Sequence, residues 1–113
     1  MISYTLAHVG INCANAEEAK KGAAMFEAMF GLTAKEGNSS VFAGTMIEAM
    51  KSAGRGAKGH IAIATNSVER AVNYLESQGV AFDMDSAKSK NGRMTAIYMK
   101  EESAGFAVHL VQK

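Results

Sequence analysis

At 113 residues, 48% of them apolar and with a formal net charge of +1, the chain has material for one hydrophobic core and no excess charge with which to hold nucleic acid or an anionic membrane. No stretch approaches the ~20 apolar residues of a membrane span, and Met1-Ile2-Ser3-Tyr4 shows no basic region leading into a signal-peptide core, so a cytoplasmic protein is expected. The single cysteine, Cys13, excludes an internal disulfide and reads as a small buried residue at the end of the first strand rather than as a nucleophile.

In chain order, the first apolar strand pattern is Ala7-His8-Val9-Gly10-Ile11, with a histidine inside it. A capping pair, Asn15-x-x-Glu18, then opens a helix whose apolar stripe is Ala19, Ala23, Phe26 and Phe30, closed by Gly31. Gly44 marks a turn four residues before Glu48, the lone carboxylate of the strand pattern Met46-Ile47-Glu48-Ala49-Met50. Residues 52 to 59, Ser-Ala-Gly-Arg-Gly-Ala-Lys-Gly, have no periodicity and read as a flexible connection.

The same order then returns. Gly59-His60-Ile61-Ala62-Ile63 is a strand, Asn66-x-x-Glu69 opens a helix with the stripe Val68, Ala71, Val72 and Leu75, and Gly79 closes it. Gly105 stands four residues before His109 in the strand Ala107-Val108-His109-Leu110-Val111. Each half reads strand, helix, strand, strand, strand, a duplication spanning the whole chain. The expected architecture is a single α+β domain of two βαβββ modules, about 1–51 and 60–113, sharing one core across a curved mixed sheet. The loops at 36–40, 52–59 and 83–92 have no readable structure.

Strand parity locates the chemistry, because successive side chains of a strand point to opposite faces. Val9, Ile11, Ile47, Ala49, Ile61, Ile63, Val108 and Leu110 fall on one face, expected to bury the two helices. His8, Glu48, His60 and His109 fall on the other, among small neighbours such as Gly10, Ala62, Ala64 and Ala107, which leave a polar cup. A lone strand histidine is more often hydrogen-bonded or exposed than a ligand. All three histidines of the chain on one face, joined by a carboxylate, point to a divalent metal site, with zinc or nickel favoured and manganese, cobalt or iron as alternatives. A ligand with two adjacent oxygens could chelate such an ion, which would act as a Lewis acid toward an enediolate. Glu48 is the carboxylate placed to serve as base.

The paired modules, the openings His8-Val-Gly-Ile and His60-Ile-Ala-Ile, and the closing strands at Glu48 and His109 resemble the vicinal oxygen chelate superfamily, which includes glyoxalase I, bleomycin-binding proteins, methylmalonyl-CoA epimerase and extradiol dioxygenases. A closer similarity is to the small domain appended to some bacterial 2-keto-3-deoxy-6-phosphogluconate/4-hydroxy-2-oxoglutarate aldolases, prompted by Lys35–Gly44 and Gly105–Lys113. The resemblance implies metal ligands at His8, Glu48, His60 and His109, and a homodimer. It also implies a lyase or isomerase acting on a small 2-oxo or sugar-acid compound. The alternative is a noncatalytic metabolite-binding or regulatory module with an aldolase as partner. His109 departs from the family, which typically has glutamate there and thus a second carboxylate.

Weaker signals read as structural. Lys51, Arg55 and Lys58 could meet a ligand's carboxylate or phosphate, but a solvated connection is the simpler reading, and Arg93 beside Asn91-Gly92 is a hairpin-flanking charge. Met46 and Met50 flank Glu48 and could line an apolar part of the pocket, while Phe42, Tyr98 and Phe106 read as packing residues.

Overall fold

The computed structural model describes residues 1–113. The first half contains β1 (Tyr4–Asn12), α1 (Ala16–Phe30), β2 (Ala34–Glu36), β3 (Ser40–Ala43) and β4 (Ile47–Met50). The second contains β5 (Gly59–Thr65), α2 (Val68–Ser77), β6 (Phe82–Lys90), β7 (Arg93–Met99) and β8 (Phe106–Gln112). The strands form one curved eight-stranded sheet in the order β2-β3-β4-β1-β5-β8-β7-β6. Both halves repeat the expected strand-helix-three-strand order. They meet at the antiparallel pair β1–β5, and each of these strands is flanked by the parallel last strand of its own half.

Local chemistry explains the boundaries. Asn15 caps α1 through its side chain, which accepts from the Glu18 N–H, and Gly31 ends the helix in a left-handed conformation at φ 72°. The second cap differs from the expected Asn66: Ser67 caps α2 by accepting from the Arg70 N–H. Asn66 is taken up by the chain start instead, donating to the Met1 carbonyl and accepting from the Ser3 N–H. Residues 83–92 are not a loop. They lie mostly in β6, which pairs with β7 through a turn with Asn91 and Gly92 both at positive φ, as a tight hairpin requires. Charges such as Asp83, Asp85, Lys88 and Lys90 hid this strand from a hydrophobic pattern, and they suit its place at the sheet edge.

Two apolar clusters lie on the outer face of the sheet. Ala19 and Ala23 of α1 pack on Val41, Ala43 and Ala49, and Val68, Ala71 and Val72 of α2 pack on Phe82, Ile97 and Leu110. Phe30, expected in the first stripe, is 67% exposed. A 15-residue helix runs about 22 Å, whereas the four-residue strands beneath it span about 13 Å, so its last turn overshoots them. The helices also cover the flanks of the sheet rather than its centre. Ile11 is 38% exposed, and Val9, Ile61 and Val108 are half-buried and belong to neither cluster.

Candidate metal centre

The register places the polar residues in a chequerboard on the concave face. Gly10 of β1 lies opposite Glu48 on one side and His60 on the other, and His60 pairs with Ala107. In the neighbouring row His8 lies opposite Ala62, Ala62 opposite His109, and His109 opposite Tyr98. Each bulky polar side chain therefore has a small residue beside it on the adjacent strand, over which it can lean toward the others. At Gly10 the need is absolute, because a Cβ there would stand 2.0 Å from His60 Cε1. A register shift between Leu6 and His8 marks a bulge at Ala7, a device that re-aims a side chain at the mouth of a site.

Three of the four sequence-predicted residues, His8, His60 and His109, form one group within one chain, and Glu48 meets His8 and His60 but lies outside that group. His8 Nε2 lies 3.2 Å from His60 Nε2, and Glu48 Oε1 lies 3.1 Å from His60 Nε2 and 3.4 Å from His8 Nε2. His8, His60 and His109 offer ring nitrogens that all lie within 4.8 Å of one another. Ligand atoms ~2.0–2.1 Å from a tetrahedral zinc ion stand ~3.3 Å apart, close to the spacing of the His8, His60 and Glu48 atoms. His109 Nε2 is buried and makes no hydrogen bond, a costly state for a nitrogen that nothing else satisfies. The donor set and this orphaned atom both fit a divalent cation.

Electrostatics prepare the group for that role. Burial, with neighbouring histidines, pushes the His109 imidazole down to about 4, so it is neutral with its lone pair free at pH 7. Burial lowers His8 as well, against the opposing pull of Glu48. The Glu48 carboxyl is held below its usual range, chiefly by its hydrogen bond with His60 and then by Ser40, and stays ionised.

Four contributors escaped the sequence reading. Ser40, buried on β3, donates from Oγ to Glu48 Oε2 at 2.7 Å, leaving Oε1 for the histidines. It lies opposite Met50, two residues from Glu48 along the β3–β4 pair, so a strand assignment for 40–43 was the signal that could have found it. Tyr98, expected to be a packing residue, stacks on His109 with centroids 4.4 Å apart and planes 7° from parallel, while Phe42 meets His8 edge-on. Asn12 anchors the connection between the halves, donating to the Gly56 carbonyl and accepting from the Gly54 N–H. That connection is therefore tied to β1 rather than free.

The fold is that of the vicinal oxygen chelate, or glyoxalase-like, proteins. No family model matches the chain, and no curated protein matches its sequence. Among solved structures it is similar to a hypothetical protein from Bacillus halodurans, with a TM-score of 0.67, 19% identity, and coverage of 98% of this chain and 95% of that one. It is also similar to a Streptomyces coelicolor methylmalonyl-CoA epimerase variant in complex with 2-nitronate-propionyl-CoA, at TM-score 0.64 and 14% identity over 96% and 94% of the two chains. The methylmalonyl-CoA epimerase of Mycobacterium tuberculosis matches at TM-score 0.62 and 19% identity, over 95% and 86%. At these identities the likeness establishes the fold. No helix is long and apolar enough to cross a membrane.

Proposed function

We propose that residues 1–113 work as one domain of two modules, 1–51 and 60–113, that binds a divalent metal ion through His8, Glu48, His60 and His109. On this reading it acts as a lyase or isomerase on a small 2-oxo or sugar acid. The observation that carries it is the gathering of three imidazole nitrogens within 4.8 Å of one another on the concave face, with Glu48 Oε1 beside His8 and His60 and with His109 Nε2 buried and unpaired. Zinc or nickel suits this nitrogen-rich set best. When bound, the ion would polarise a carbonyl oxygen as a Lewis acid. The chain's own part is to hold Glu48 ionised and oriented through Ser40, to keep His8 and His109 neutral, and to bind the ion loosely enough through Glu48 that its Oε1 is released to accept a proton next to that carbonyl. That two structures of this fold are epimerases supports proton transfer at carbon. The half-exposed apolar saddle at Val9, Ile11, Ile61 and Val108 supports a homodimer, which sedimentation would test.

Elemental analysis and calorimetric Zn²⁺ titration of tag-free protein, with His60→Ala and His109→Ala alongside, test the site. Near-stoichiometric binding by the parent and weakened binding by both variants is expected; equal binding by all three would overturn it. Metal-dependent exchange of the C3 protons of 2-oxo acids in D₂O, lost in Glu48→Gln, tests the chemistry. One feature favours a noncatalytic reading. With His109 in the fourth position, the cluster holds a single carboxylate, already engaged by Ser40 and His60. A metal-loaded protein that binds 2-oxo acids without exchange, and that alters aldolase kinetics on mixing, would establish the regulatory module instead.

A further inference from the structure

The connection between the halves carries three cations, and the structure separates them. Lys51 is occupied by the Glu36 carboxylate at 2.7 Å and the Gly37 carbonyl at 2.9 Å, and the Lys58 stem lies along Gly105. Arg55 alone reaches the concave face: its guanidinium carbon lies 4.6 Å from the centroid of Tyr98, the ring that stacks on His109. Asn12 pins Gly54 and Gly56 on either side of it, so its backbone is fixed from within β1. Asp83, opposite Tyr98 on the edge strand, takes one arm through Nη2 and holds the fork in place. The remaining N–H donors of the guanidinium make no hydrogen bond in the protein, and the side chain is 43% exposed.

Parity adds a second cation. Lys88 lies opposite Ala96, and Ala96 opposite Val111, on the same face as Tyr98 and His109. The concave face is thus polarised: Glu48 and Ser40 lie at the β3–β4 end, and Arg55 and Lys88 at the β6–β7 end, with Asp83 offsetting part of the positive charge.

We propose that Arg55, seated on Tyr98 and assisted by Lys88, is a carboxylate subsite at the β6–β7 end of the cup. The ligand class is then a 2-oxo dicarboxylate, its oxygenated head at the histidines and its distal carboxylate on the arginine fork. This deepens the function proposed above and rests on it. A planar fork with free donors suits a carboxylate in two-pronged contact, whereas a lysine offers only a point charge.

The test is calorimetric titration of Zn²⁺-loaded protein with 2-oxoglutarate and with 2-oxovalerate, which has the same head and no distal carboxylate. Arg55→Ala and Arg55→Lys are titrated in parallel, and their zinc stoichiometry reports an intact centre. The parent should bind 2-oxoglutarate about tenfold more tightly, a difference of about 1.4 kcal/mol. That ratio should collapse toward one in Arg55→Ala and be partly restored in Arg55→Lys. A parent that binds both acids equally, or a preference that survives in Arg55→Ala, overturns the subsite and leaves the metal-site reading standing. Loss of zinc by Arg55→Ala would show that the arginine supports the centre instead, which also overturns the subsite. Failure of both acids to bind the zinc-loaded parent would bring down the 2-oxo acid reading and the subsite together.

Discussion

Gly10→Ala is the most discriminating perturbation of the proposed centre, because it adds one methyl group and replaces no ligand residue. The new Cβ would stand 2.0 Å from His60 Cε1, 2.2 Å from Nδ1 and 2.6 Å from Nε2, distances that real side chains essentially never show. Gly10 has no left-handed backbone conformation to lose, so the conflict is with the imidazole alone. The ring must swing off Gly10, and its Nε2 then leaves the contacts at 3.1 Å with Glu48 and 3.2 Å with His8. Overpacking of this kind costs about 1–3 kcal/mol of stability. Losing a direct ligand should weaken metal binding by at least the 10- to 100-fold typical of losing an outer-shell partner. Competition against a chromogenic chelator, read beside urea unfolding, measures both. Gly10→Ala should match His60→Ala in zinc affinity while remaining cooperatively folded. Folded Gly10→Ala with zinc affinity within threefold of the parent would refute the claim that His60 is placed by the glycine beneath it.

Ser40→Ala removes the hydrogen bond that fixes Glu48 Oε2, and zinc affinity should fall about 10- to 100-fold by chelator competition; an unchanged value would mean that Glu48 orients itself. The metal-free protein should lose stability as pH falls. The His109 pKa is lowered from 6.5 to about 4 in the fold, so the unfolded chain binds more protons between those values and stability declines from about pH 6.5 toward 4. The lowered His8 and Glu48 act in the same direction, and urea midpoints at pH 7.5, 5.5 and 4.5 should flatten in His109→Gln. Ser67→Ala should cost about 1 kcal/mol through the cap of α2, with Asn66→Ala affecting the first residues of the chain rather than helix content; the reverse pattern in circular dichroism would return the cap to Asn66.

Much of the architecture is legible in the sequence because its signals are local. The stripes at Ala19–Ala23–Phe26 and Val68–Ala71–Val72, the terminating Gly31 and Gly79, and the turn glycines Gly44 and Gly105, at φ 61° and 87°, each act within a few residues. Period-two alternation likewise assigns His8, Glu48, His60 and His109 to one face without reference to the rest of the chain. What the sequence by itself determines is therefore the repeat, the elements and the polar face.

Tertiary structure decided how far apart residues on that face would be. Only the antiparallel β1–β5 pairing, with β4 and β8 outside it, sets Gly10 between Glu48 and His60, and Ala62 between His8 and His109. It also decided which cation of the connection reaches the cup, that Asn66 serves the chain start, that a charged segment becomes an edge strand, and that Ser40 rather than a neighbour steadies Glu48. These contacts join residues up to 65 positions apart. Their geometry depends on sheet register and on which partner claims a hydrogen bond first, and neither is encoded in the periodicity of any one segment.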